Sequence, residues 1–174
     1  PGLPPEKQHK FSGIILQEGE RLTRLINQVL DFQKMESGKI EMQITPVNMK
    51  EIINDALNST QQLIGENNIQ VELNLADNLP EVEGDYDRLV MVVLNLLANA
   101  VKFCDEKAGI IGVRLSGENE SVRVDVSDNG QGISQEHLET VFERFWQDKN
   151  TSKGRPAGSG LGLAIARQIV ERHK

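Results

Sequence analysis

An α/β (α+β) fold, a two-layer sandwich preceded by a long amphipathic bundle helix, is what this sequence of 174 residues predicts. Three observations carry the prediction. Apolar residues recur on seven-residue series between Phe11 and Phe32, the pattern of a helix stripe that seeks a partner helix. Further on, period-two runs and helical runs are mixed without strict βαβ alternation, which favours a two-layer sandwich over a doubly wound sheet. Finally, 38% hydrophobic and 26% charged residues are the proportions of an ordinary globular chain, and this length buries roughly two-thirds of its unfolded surface.

The first helix is expected from about Pro5 to Met35. Ile15, Leu22 and Val29 form one series and Phe11, Leu25 and Phe32 the other, with Glu18 the polar member of the second. The opposite face carries Glu20, Arg21, Arg24 and Asn27. At 1.5 Å per residue such a helix is roughly 45 Å long, more than a small domain covers, so an interaction helix is favoured over a core helix. Ser37-Gly38 ends it and sets a domain boundary, dividing the chain into 1–38 and 39–174. Lys39 to Thr45 alternates Ile40, Met42 and Ile44 with polar residues, a half-buried strand that Pro46 stops. Asn48, with Glu51 three residues later, caps a helix through Leu63 that offers Ile52, Ile53, Ala56 and Leu57 to a core.

After a loop at Gly65 to Asn68, the alternation of Ile69, Val71, Leu73 and Leu75 predicts a second strand. Pro80 to Gly84 lead into a strongly apolar helix from about Tyr86 to Phe103. Ile110 to Leu115 and Val122 to Val126 are two strands joined by a turn at Gly117-Glu118-Asn119-Glu120. A short helix near Gln135 to Phe145, a polar stretch, and a helix from Leu161 to Arg172 complete the order.

Several functions are disfavoured by composition. Nineteen basic against 26 acidic side chains leave a net charge of −7, so no positive patch is expected for nucleic acid, and 4% aromatic residues are too few for a base-stacking surface. The longest apolar run, Leu89 to Leu97, is broken by Asn95 and falls far short of the ~20 residues that span a bilayer. With Cys104 as the only cysteine, no intrachain disulfide forms, and a cytoplasmic location is expected.

Within the apolar helix, Asn95, Asn99 and Lys102 fall at i, i+4 and i+7 and align in one polar stripe. Amide oxygens suit Mg²⁺ and a lysine suits phosphate; internal hydrogen bonding of both amides accounts for the stripe equally well. Asp128-Asn129-Gly130-Gln131-Gly132 follows a strand directly. A carboxylate there can accept the exocyclic amine of adenine, and the glycines allow a ligand close to the backbone, although such a tripeptide alone is more often only a turn. Gly158-Ser159-Gly160-Leu161-Gly162 opens the last helix, where unpaired N–H groups favour an anion. Neither a Walker loop nor a dinucleotide fingerprint is present. Between Phe145 and Gly158, the composition predicts a lid whose Lys149, Lys153 and Arg155 can reach phosphates; a solvated loop is the competing account.

Taken together, Asn95-Leu-Leu-Ala-Asn99-Ala-Val-Lys102-Phe103, Asp128-x-Gly130-x-Gly132, Val141-Phe142-Glu143-Arg144-Phe145 and Gly158-x-Gly160-x-Gly162-Leu-Ala-Ile resemble, in order, the N, G1, F and G2 boxes of the catalytic ATP-binding domain of sensor histidine kinases. Residues 20–26 and 32–38 are similar to the second helix of that family's dimerisation and phosphotransfer hairpin. The resemblance implies that Asp128 binds the adenine amine, with Gly130 and Gly132 beside it, and that Asn99 ligates Mg²⁺. It further implies that Asn95 and Lys102 support the phosphates, that Gly158, Gly160, Leu161 and Gly162 hold the lid hinge and phosphates, and that Phe142 and Phe145 anchor the lid. ATP and Mg²⁺ are the implied ligands. The implied partners are a response-regulator receiver domain and a second copy of the chain, joined through the N-terminal helix.

Two departures from the family pattern stand out. None of His9, His137 and His173 lies in the family's His-Glu acceptor motif, and the family's domain usually runs on into two more strands. A piece of a longer kinase is therefore expected, one that passes the γ-phosphate of ATP to a histidine on a hairpin helix outside this sequence. A related conformational ATPase and a non-catalytic nucleotide-binding signalling module are the alternatives.

Overall fold

The computed structural model describes residues 41–118, 121–147 and 159–173 throughout, and before them Pro4, residues 11–13, 15, 16, 19, 22, 23, 26, 29, 30 and 33. The chain forms two compact units, Pro1–Glu41 and Met42–Lys174. In the first unit the described residues from Phe11 to Gln33 are helical. Phe11, Ile15, Leu16, Leu22, Ile26 and Leu30 are exposed, while Leu25, Phe32 and the expected end at Ser37-Gly38 lie outside the described residues.

In the second unit the order is β1 (Thr45–Val47), α1 (Met49–Glu66), β2 (Gln70–Leu75), β3 (Val82–Gly84), α2 (Tyr86–Phe103), β4 (Ile110–Glu118), β5 (Ser121–Asp128) and α3 (Gly162–Arg172), with two 3₁₀ turns, Gln135–His137 and Thr140–Phe142, before α3. A three-stranded sheet runs β2-β4-β5, parallel between β2 and β4 and antiparallel between β4 and β5. Because side chains alternate along a strand, Ile111, Val113 and Leu115 all point to one face and are fully buried. They meet Ile52, Ile53 and Ala56 of α1 and Val93, Leu97 and Ala100 of α2 in one core. That is the expected two-layer sandwich, with α2 packed between α1 and α3.

The capping reading of α1 holds: the Asn48 side chain accepts the Lys50 N–H at 2.9 Å. Asp85 does the same for α2, accepting the Arg88 N–H at 3.1 Å, and the helix keeps the bounds its apolar run predicts. On the outer surfaces, Tyr86 donates its hydroxyl to Asp55 at 2.7 Å, tying α2 to α1. Lys50 donates to Asp77, and that hydrogen bond, with the lysine's charge, holds the Asp77 carboxyl below its ordinary value.

Four local expectations are corrected. The strand predicted over Lys39 to Thr45 is instead Thr45–Val47, with 41–44 irregular. Pro46 does not stop it but lies inside it, because β1 bonds only to β3 in a two-stranded antiparallel pair and a missing N–H is tolerated at a free edge. Accordingly β3 occupies part of the stretch read as a lead into α2. Helix α1 runs on through Gly65 and Glu66, and only Asn67 and Asn68 turn, the latter with a φ of 52°. The helix expected at Gln135 to Phe145 is two 3₁₀ turns: Val141 alone is buried there, so no apolar stripe supports a continuous helix, and the Thr140 hydroxyl donates to the His137 carbonyl at 3.2 Å.

Candidate nucleotide site

The site is laid along one surface of α2. Leu97 and Ala100 face the core, whereas Asn95, Asn99 and Lys102 are half-buried. Among the described residues neither amide side chain forms a hydrogen bond with protein, and neither holds an atom that is both fully buried and unpaired. Internal satisfaction of the amides, the account that competed with a ligand role, is therefore absent. Lys102 places its ammonium 4.8 Å from the Phe103 ring centroid.

At the end of α2 stands the loop that follows β5. Asp128 pairs with the buried Ile111, so the pleat turns it to the sheet face that carries the helices, the face shared by Val124 and Val126. Its Oδ1 accepts the Gly130 N–H at 2.9 Å, closing a tight turn. Gly130 lies directly on the last turn of α2: a Cβ there would run into the Phe103 carbonyl oxygen and stand 2.7 Å from Asp128 Oδ1. Only glycine fits, and the carboxylate is thereby set beside the C-terminal end of the asparagine stripe.

At the other end of the stripe stands the beginning of α3. A Cβ on Gly162 would be 3.1 Å from Asn95 Oδ1, so the first turn of α3 abuts the asparagine. Since His173, just past the other end of α3, accepts the Asp85 N–H on Nε2 at 2.9 Å, the two helices are antiparallel. No side chain caps the first N–H groups of α3, whose N-cap position is the buried Leu161, leaving those donors turned toward the stripe's end. From Asn95 to Phe103 the helix rises about 12 Å.

Phe145 and Gly160 join there as well. The Phe145 N–H donates to the Gly160 carbonyl at 2.9 Å, and a Cβ on Gly160 would stand 2.7 Å from the Phe145 carbonyl carbon. Both residues take positive φ, 61° and 69°. The Phe145 ring is 63% exposed, so its tie is made by backbone and not by the ring. Phe142, 39% exposed, lies under the Arg167 guanidinium at 5.8 Å, and the hydrogen bond that this guanidinium donates to Glu171 raises its pKa above the ordinary value. Gly132, with φ 71°, has open space around it. Gly158, Lys149, Lys153 and Arg155 lie outside the described residues. The structure thus brings Asn95 to Gly162, and Phe103 to Gly130, from segments remote in sequence. Sequence reasoning missed Asn129, whose side chain is fully engaged, and His173; the only signal for the first was its place between Asp128 and Gly130.

A two-layer sandwich with an asparagine-bearing central helix, a carboxylate loop at one end and a glycine-led helix at the other defines a class. The chain belongs to the histidine kinase-, DNA gyrase B- and HSP90-like ATPase family, whose match covers residues 84–174. Within that family it is an ATP-binding catalytic domain of the sensor histidine kinase type. The circadian input-output histidine kinase CikA of Synechococcus elongatus is 34% identical over 170 residues, 97% of this chain and 22% of CikA, so the chain spans about a fifth of that relative. A crystal structure of full-length ShkA in complex with AMPPNP superposes with a TM-score of 0.81 at 28% identity, over 98% of this chain and 35% of that one. The histidine kinase ThkA, solved with the response regulator TrrA, gives 0.75 at 26% identity, over 99% of this chain and 46% of that one. Among the described residues no helix is long and apolar enough to cross a membrane.

Proposed function

We propose that this domain binds ATP·Mg²⁺ along α2 and presents the γ-phosphate to a histidine imidazole on a hairpin helix of the kinase. The observation that carries the reading is the pair of half-buried amides without protein partners, set between the Asp128 loop and the first turn of α3. Asp128 accepts the adenine amine, and guanine, which offers a carbonyl at that position, would set two acceptors against each other. Gly130 and Gly132 let the base approach the backbone. Asn99 holds the metal, a role its neutral amide oxygen fits because Mg²⁺ keeps few protein ligands. When bound, Mg²⁺ neutralises charge on the transferring phosphate. Asn95 and Lys102 orient the phosphates, and the segment of Gly158, Gly160, Leu161 and Gly162, with the first N–H groups of α3 that no side chain caps, holds the lid hinge and receives them. Phe142 and Phe145 hold the ends of the lid.

The exposed apolar face of the N-terminal helix, Ile15, Leu22 and Ile26 among its residues, supports association with a second copy, and a response-regulator receiver domain is the downstream partner, both in the cytoplasm. Light scattering is expected to show a dimer that becomes a monomer in the double variant Leu22→Lys, Val29→Lys; an unchanged mass would exclude this interface.

Thermal unfolding tests the nucleotide assignment. ADP with Mg²⁺ at 100 times its dissociation constant adds about 2.7 kcal/mol, a melting shift of roughly 5 to 10 °C for a unit of this size. GDP is expected to give almost none, and Asp128→Ala to lose the difference. Equal shifts with both nucleotides would sink the adenine assignment.

A further inference from the structure

Asn129 sits between the two residues that face the proposed base, yet its own side chain turns away to the loop between α2 and β4. There Oδ1 accepts two backbone N–H groups, from Ile110 at 2.9 Å and Asp105 at 3.3 Å. Its Nδ2 donates to the Ala108 carbonyl at 2.7 Å, and its backbone N–H donates to the Ile110 carbonyl at 3.2 Å. The loop so held is already closed on itself, because Asp105 Oδ1 accepts the N–H groups of Lys107 and Ala108. This loop is the direct continuation of α2 past its C-cap at Cys104.

We infer that Asn129 is a positioning residue for purine selection: its amide fastens the Asp128 turn to the chain leaving α2, fixing where the Asp128 carboxylate stands relative to Asn99 and Lys102. The inference rests on the reading of Asp128 as the adenine acceptor. The physical need is angular. A carboxylate distinguishes amine from carbonyl only if its lone pairs meet the base edge in line. Asp128 ends a strand and is itself exposed, so its own packing cannot hold that direction. The Gly130 contact on Phe103 blocks motion toward α2, and the Asn129 bonds oppose motion away from it; together they leave the turn one position. An amide is suited to this because it accepts on Oδ1 and donates from Nδ2, two separate atoms of one planar group; a carboxylate cannot donate, and a hydroxyl must do both from a single atom.

The test measures ADP and GDP affinity by calorimetry, with Mg²⁺, in the parent chain and in Asn129→Ala, Asn129→Asp and Asp128→Ala. Asn129→Ala is expected to weaken ADP about tenfold while GDP changes little, so that the ADP-to-GDP ratio collapses. Asn129→Asp is isosteric and keeps both accepted bonds while setting an oxygen against the Ala108 carbonyl; it is expected to fold and to lose part of the ratio. A role in stability alone predicts a lower melting temperature with the ratio preserved in both Asn129 variants, and that result overturns the inference while Asp128→Ala still abolishes selection. Should Asp128→Ala leave ADP binding unchanged, the adenine reading itself fails and the inference with it.

Discussion

Asp128–Gly130 and the cluster of Phe145 with Gly160–Gly162 stand at opposite ends of the same surface of α2, and they are held by different means. At the first end, side chains do the holding: Asn129 secures a neighbouring loop through both atoms of its amide, and Asp128 closes its own turn. At the second end the backbone does it, through one N–H to carbonyl bond between two residues at positive φ and through the close approach of Gly162 to Asn95. An L-residue in that conformation costs roughly 1–2 kcal/mol, and Phe145 bears that cost without a buried ring to offset it. Geometry at one end therefore depends on chemical groups, and at the other on conformations that few residues adopt.

The sharpest way to break this contrast is Gly130→Ala. With a backbone oxygen inside van der Waals reach, the new methyl group must push the turn off α2, and a loss of at least ~3 kcal/mol is expected, read as a melting temperature lower by about 10 °C or more. If the protein melts as before, the turn is not fixed by α2. A smaller loss, about 2 kcal/mol, is expected from Gly160→Ala, where the positive φ and the Phe145 backbone act together. Gly132→Ala isolates the conformational part, since it shares the positive φ but meets nothing within 4 Å; a loss of about 1 kcal/mol is expected in denaturant titration. Equal losses at Gly160 and Gly132 would mean that the Phe145 contact contributes nothing to the second end.

Sequence legibility followed the same division. Helix α2 was readable because its apolar run leaves no other choice, and the bounds expected at about Tyr86 and Phe103 are those observed; the i, i+4, i+7 spacing placed Asn95, Asn99 and Lys102 on one surface before any packing was known. The hairpin of β4 and β5 was readable from alternation. In contrast β3, three residues long, offers no alternation to detect, and the Pro46 strand violates the usual rule only because its edge is free. The meeting of Gly130 with Phe103, and of Gly162 with Asn95, is a product of tertiary packing, so local spacing shows that glycine is present but not what it must avoid. Asn129 is the clearest case: three hydrogen bonds to a loop some twenty residues upstream leave no trace in the pattern around it.

The bond between the Asp85 N–H and His173 joins residues 88 positions apart, and it has a consequence for how the domain comes into being on the ribosome. Asn95, Asn99, Lys102 and the Asp128 turn leave the exit tunnel well before α3 does. Because domains generally fold as units, these residues wait for α3 while the chain is still being made. Helix α3 arrives later, and it docks by its two extremities: Gly162 against Asn95, His173 against Asp85. Such distant contacts form late because the intervening chain must first be ordered. Until α3 is synthesised, Asn95 and the Asp85 N–H accordingly lack the neighbours they meet in the folded domain, and the candidate site stays open at that end.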